Sequence, residues 1–304
     1  MIEATARPID EMSLENEMSL GNEMSREDQI SPTHEVSPQT HAIFDMAPQT
    51  LRFYRNVLTL LNQASIPYLV GGTYALNFHT GLNRHTKDFD IFIDRADFHR
   101  IADVLAQAGY KTVMTYPHWL AKTFCDNDFV DLVFNSGNGV AEVDDEWFAN
   151  AVDGEIFGIP TKICPAEEMI WSKAFIMERE RFDGADVAHL LHAAGSKMHW
   201  TRLLRRFEPH WQLLLSHLIL FRFIYPTSRK NIPLWVMEDL QARLSDDLKT
   251  PTPPDKVCVG TLLSREQYLS DIDAWQYQDA RLSPLGKMSP QETEQWTEAI
   301  KKSH

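Results

Sequence analysis

Three acidic residues stand where they could do metal-assisted chemistry. Asp88 and Asp90 sit two apart in KDFDIFID (87–94), and Asp131 stands alone among apolar neighbours in FVDLVFN (129–135). Side chains on a strand alternate faces, so Asp88 and Asp90 share a side at ~6.6 Å along the chain, while Phe89, Ile91 and Ile93 take the other. Two unpartnered carboxylates on one patch repel each other, and divalent cations remove that conflict. If the Asp131 strand pairs beside the first, three carboxylates can hold two hard cations ~3.5 to 4 Å apart.

A second feature lies upstream. Val70-Gly71-Gly72-Thr73 falls where an apolar strand, Ile66 to Val70, hands over to a helix. Glycines let a phosphate approach the backbone, a helix start offers free N–H donors, and Thr73 adds a hydroxyl. Each piece has a plain structural reading of its own: a tight turn, a solvated strand face. The functional reading rests on their order, glycines first, then Arg84-x-Thr86-x-Asp88-x-Asp90, then an acid on a later strand.

The elements that must position these residues can be read from periodicity. Leu51, Tyr54, Leu58 and Leu61 recur at helical spacing, predicting a helix over 50–64. A helix is expected from Thr73 to Phe78, a strand over Lys87–Asp94, and a helix over 96–108 stopped by Gly109. Further strands are expected over 110–116, 121–125 and 129–134, with a short pair within 155–163. From Pro165 the pattern turns helical: 165–179, 184–194, 200–222 and 230–248. The proline cluster between Pro251 and Pro254 breaks it.

This arrangement resembles the DNA polymerase beta-type nucleotidyltransferase superfamily, over residues 67–134. A further stretch, PAEEMIWSKAFIMERERFDGADVAHLL (165–191), is similar to the helical region of small bacterial nucleotidyltransferases, including antibiotic-modifying and toxin-like members. The resemblance implies an α+β fold: a nucleotidyltransferase-type mixed sheet flanked by helices, followed by a helical domain. It implies two Mg²⁺ ions, with Mn²⁺ as a substitute, and transfer of a nucleoside monophosphate from an NTP such as ATP. By position, Asp88, Asp90 and Asp131 match the metal-binding acids, and Asp131 the one that assists deprotonation of the attacking hydroxyl. Gly71 and Gly72 match the phosphate-binding glycines; many members have Gly-Ser where this chain has Gly-Gly-Thr, and Thr73 takes the serine's place. Arg84 and Lys173 are the candidate phosphate contacts. Asp183 and Asp186 fit either an ion-paired helix junction or a functional role. The competing reading is a non-catalytic nucleotide- or partner-binding module on the same fold.

Composition bounds the rest. Of the net charge of -14, residues 1–50 carry -8, with ten acids against Arg7 and Arg26. No basic stripe argues for tight binding of duplex nucleic acid. The acceptor stays open between a small molecule, a protein hydroxyl and a tRNA end. Cys125, Cys164 and Cys258 show neither metal spacing nor a disulfide framework, and a reducing, cytoplasmic setting is expected. No secretory or membrane-spanning segment is expected. His189 and His192 lack a third ligand nearby and read as structural. Residues 11–28 repeat with period six (EMSLEN, EMSLGN, EMSRED) in units too short and polar to bury a face. The expected division is a disordered tail over 1–45, a nucleotidyltransferase domain over 46–164, a helical domain over 165–248, and a loosely ordered tail over 249–304.

Overall fold

The computed structural model describes residues 46–299. The tail expected over 1–45, with its hexapeptide repeat, lies outside the described residues, as do residues 300–304.

Helix α1 (Pro48–Gln63) opens the fold, with Pro48 at its first position. Its buried face carries Phe53, Tyr54, Val57, Leu58 and Leu61, at the spacing read from the sequence. Strand β1 (Leu69–Val70) leads into α2 (Gly72–Thr80), which ends on the left-handed Gly81. Strand β2 (Phe89–Phe92) is shorter than the predicted 87–94. The Thr86 hydroxyl accepts from the Asp88 N–H at 3.1 Å, so the chain enters through a side-chain turn and Asp88 stands just before the ladder. After a 3-10 turn and helix α3 (Phe98–Gln107) come β3 (Lys111–Tyr116), β4 (Leu120–Cys125) and β5 (Asp128–Val133). A short helix α4 (Asp145–Ala149) precedes the hairpin β6 (Val152–Ile156) and β7 (Ile159–Ile163).

These seven strands form one mixed sheet in the order β3-β4-β5-β2-β1-β7-β6. The pairs β2–β5 and β1–β7 are parallel and the others antiparallel. One face is dry: Phe89, Ile91, Val130 and Leu132 are wholly buried. Tyr54 of α1 and Tyr74 of α2 close on Phe89 there, at ring separations of 4.8 and 5.2 Å. The chain therefore has the mixed α+β architecture expected, a mixed sheet flanked by helices.

Helix α5 (Ala166–Ala174) stops five residues short of the predicted end, and the chain reverses through a bridge between Met177 and Phe182. Helix α6 (Gly184–Ala194) packs against α5 and α2. The helix expected over 200–222 is two, α7 (Trp200–Arg206) and α8 (Trp211–Ile224), parted at Pro209, which lacks the N–H a continuous helix needs. Helix α9 (Leu234–Asp247) packs on α8. None of the described helices is long and apolar enough to cross a membrane.

Residues 249–299 hold more structure than their polar composition implied. A parallel pair, β8 (Val257–Cys258) with β9 (Gln278–Asp279), is followed by helix α11 (Pro290–Glu298), with a short helix α10 (Leu269–Asp273) between the strands. Local polar bonds shape this segment. Arg281, 1% exposed, makes a forked pair with Asp279 at 2.6 to 3.1 Å, and Ser289 with Glu292 forms a capping box. No apolar period announces such contacts in the sequence.

Candidate active site

The acids meet because of sheet register. In the parallel pair β2–β5, Asp90 lies directly beside Asp131, so the two side chains leave the sheet on the same side. Their flanking residues, Phe89 with Val130 and Ile91 with Leu132, point the other way into the dry core. Asp88, two residues before Asp90, joins that side. Gly72, Thr73, Asp88, Asp90, Asp131 and Lys173 all line one cavity of about 390 Å³, the size class of small-molecule sites.

The glycines earn their places by contact. A Cβ on Gly72 would lie 1.9 Å from Asp90 Oδ2, and Gly72 has φ of +54°, a conformation L side chains avoid. A side chain there would push the carboxylate out of position. Gly71 stands behind the cavity: its N–H donates to the Asp90 carbonyl at 2.9 Å, and a Cβ would meet the Phe92 ring at 2.4 Å. The Gly-Gly pair thus lets the start of α2 and the β2 strand approach until only an oxygen separates them.

Electrostatically the cluster is only partly compensated. No hydrogen bond or ion pair reaches the half-buried Asp90 carboxylate among the described residues. Burial, then the charges of Asp131 and Asp88, push it up to about 6, while Lys173 and Arg181 pull it back. Burial likewise raises the Asp131 carboxyl, opposed by Lys122. Lys122 faces Asp131 across the β4–β5 ladder and holds its Oδ1 at 2.5 Å. Tyr74, beneath Asp90, is raised to about 12 by burial and by that carboxylate.

The oxygen-only donor set of Asp88, Asp90 and Asp131 fits a hard divalent cation such as Mg²⁺, and among the described residues the Asp90 carboxylate has no hydrogen-bond or ion-pair partner to compete for one. As the side chains stand, no three His, Cys, Asp or Glu groups among the described residues close on a single point.

The other candidates divide. Lys173 reaches the cavity wall, but its ammonium is bonded to Asp183 at 2.9 Å and Asp186 at 2.8 Å. Asp183 also takes Arg181, at 2.8 and 2.9 Å. Arg84 is not among the lining residues; it pairs with Asp186 and reaches His189 Nδ1 at 3.2 Å, tying the loop before β2 to α6. His192 stacks near Tyr225 at 4.7 Å. Sequence reasoning missed Trp119, Asn135, Glu178, Arg265 and Trp296, which also line the cavity. The only signal was scattered aromatics in a polar stretch.

A family model described as "Uncharacterised nucleotidyltransferase" matches residues 34–221. No curated protein matches this chain. Among solved structures, the antibiotic-resistance factor ANT(2'')-Ia in solution aligns at 15% identity, covering 57% of this chain and 98% of that chain with a TM-score of 0.42. An antigenic nucleotidyltransferase-like protein from Paracoccidioides brasiliensis aligns at 15% identity, over 62% of this chain and 95% of that chain, with a TM-score of 0.37. JHP933 from Helicobacter pylori aligns at 13% identity, over 68% of this chain and 100% of that chain, with a TM-score of 0.34.

Proposed function

The chain belongs to the uncharacterised nucleotidyltransferase family, and from that premise we propose that it moves a nucleoside monophosphate from an NTP to an acceptor hydroxyl in the cavity lined by Asp88, Asp90 and Asp131. The observation that carries this reading is the pairing of Asp90 with Asp131 on the face shared with Asp88, against the glycine-lined start of α2.

Asp88, Asp90 and Asp131 would hold the divalent ions, Mg²⁺ in the first instance. Bound there, such ions neutralise charge on the phosphates and acidify the acceptor hydroxyl. The remaining roles belong to the chain itself. Gly72, lacking a Cβ, and Thr73 at the start of α2 form the phosphate seat, where free N–H groups and the helix dipole favour an anion. Lys173 and Arg181, fixed by Asp183 and Asp186, offset negative charge beside Asp90. Asp131 takes the acceptor's proton through Oδ2, while Lys122 fixes the orientation of the carboxylate through Oδ1. Attack in line with the departing pyrophosphate then needs positioning and charge stabilisation rather than a covalent intermediate.

The test is label transfer. Purified protein with Mg²⁺ and each α-labelled NTP, ATP first, is incubated with cell extract, and the label is sorted into small-molecule, protein and RNA fractions. Label should enter one fraction, and Asp88→Ala or Asp90→Ala should lower the rate at least ~100-fold. Undiminished transfer by both variants would overturn the assignment. Calorimetric binding of a non-hydrolysable NTP without turnover on any fraction would favour a non-catalytic module.

A further inference from the structure

One wall of the cavity comes from residues beyond the family match, which ends at 221. Ser264, Arg265 and Trp296 belong to the C-terminal segment and line the same space as the acids. The segment is pinned to both rims. The Asn138 amide donates to the Leu262 carbonyl at 2.7 Å, and the Met177 N–H to the Leu263 carbonyl at 3.1 Å. Trp296 packs against Gly137, where a Cβ would fall 2.3 Å from its ring.

Arg265 is held within this clasp in an unusual way. Its Nε donates to Glu178 Oε1 at 2.7 Å, and Glu178 also accepts from the Ser264 hydroxyl at 2.9 Å. The guanidinium carbon lies 4.4 Å from the Trp296 ring centre. One edge and one face of the group are thus spoken for. Its terminal nitrogens have no protein partner among the described residues, although the side chain lines the cavity and is only 23% exposed. A planar fork of donors, oriented by an ion pair and an aromatic face and left open on its outer edge, is suited to a carboxylate or phosphate. Arg181, by contrast, spends both Nε and a terminal nitrogen on Asp183.

Resting on the nucleotidyl-transfer reading above, we propose that Arg265 is an oxyanion-binding residue of this cavity, supplied by the C-terminal segment, with Glu178 and Trp296 as its positioning residues. The oxyanion is a phosphate or carboxylate. It comes either from the triphosphate of the donor or from an anionic group on a small acceptor.

The experiment measures binding and transfer on the full chain. Arg265→Gln and Arg265→Lys are compared with Lys287→Gln, which breaks the outer clasp to Glu142 at 2.5 Å without touching the cavity. Titrations use a non-hydrolysable NTP with Mg²⁺, and separately the uncharged nucleoside. Transfer is measured to a low-molecular-mass filtrate split by anion exchange. If the donor is the source, Arg265→Gln weakens triphosphate binding roughly ten- to a hundredfold and leaves nucleoside binding unchanged. If an anionic acceptor is the source, triphosphate binding holds and label transfer to the retained acids falls by a similar factor. Arg265→Lys, which keeps the charge but loses the fork, should fall between parent and Arg265→Gln. Unchanged binding and unchanged transfer in Arg265→Gln overturn the proposal. So does an equal loss in Lys287→Gln, which would mean that undocking the segment is the cause. A parent chain that neither binds triphosphate nor transfers label defeats the underlying reading as well, a result distinct from either of those.

Discussion

Two acid clusters among the described residues are built on opposite terms. At the junction of α5, α7 and α4, Glu168 is wholly buried with Arg202 at 3.1 Å and Arg206 at 3.5 Å. Arg202 also takes Glu167 at 2.7 Å, and Arg206 takes Asp144 at 2.5 Å. Burial pushes the Glu168 carboxyl up to about 7, while Arg202 and Arg206 pull it down. At the sheet, Asp88 and Asp90 have acids for neighbours and no direct cationic partner among the described residues, and of the three acids Lys122 reaches Asp131. A cluster that supplies its own counter-charges holds the fold together. A cluster that leaves them out costs the fold stability and keeps a place for a charged ligand.

Removing the counter-charge from the first cluster has the largest expected effect. Arg202→Met takes the cation from Glu167 and leaves Glu168 with Arg206 alone, and should lower stability by about 3–5 kcal/mol, read by urea unfolding; a loss below that of an ordinary surface substitution would erase the contrast. Next is Gly72→Ala. Strain at φ of +54° and displacement of Asp90 should cost about 1–3 kcal/mol and also lose label transfer, whereas Arg202→Met at a temperature where it stays folded should retain transfer.

Asp90→Asn should act in the opposite direction on stability. The Asp90 carboxyl is held at about 6 in the folded chain against an ordinary 3.8. Stabilisation by the neutral form is therefore complete below 3.8 and is lost as pH rises through about 6. Near neutrality the metal-free variant should exceed the parent by up to about 3 kcal/mol, with the gap closing in acid, and Mg²⁺ should raise the melting temperature of the parent far more than that of the variant. Thermal scans across pH decide this, and a variant less stable than the parent at neutral pH would count against a strained acid cluster. The smallest effect is expected for Lys122→Gln. It should cost about 1 kcal/mol, because the lysine offsets one acid of three, and the measurement that matters is whether Mg²⁺ binding tightens once Asp131 is released.

The C-terminal segment sharpens a different contrast. Asp88 and Asp90 act through a spacing of two, and Gly71 and Gly72 through adjacency in the chain, and such patterns survive in a linear reading. Arg265 and Trp296 act through contacts with Glu178 and Gly137, far away in the chain, and nothing in SREQYL or in QWTEAI declares them. Arg84 shows the reverse: its place in the Arg84-x-Thr86-x-Asp88 run suggested a phosphate contact, yet its guanidinium is turned to Asp186 and His189. Lys173 is intermediate, at the cavity wall but already bonded to two acids.

By itself, then, the sequence determined the periodic parts: the dry face of β2 and β5, the buried stripe of α1, the common side of Asp88 and Asp90, and the glycines at the start of α2. Periodicity and φ preference are local properties, and local properties are written residue by residue. Tertiary structure alone decided that Asp131 lies beside Asp90, because strand order and register depend on the packing of the whole sheet. It likewise decided which cations are held in ion pairs and which face the cavity, since that depends on contacts between residues far apart in the chain, 102 positions for Arg84 with Asp186 and 87 for Arg265 with Glu178.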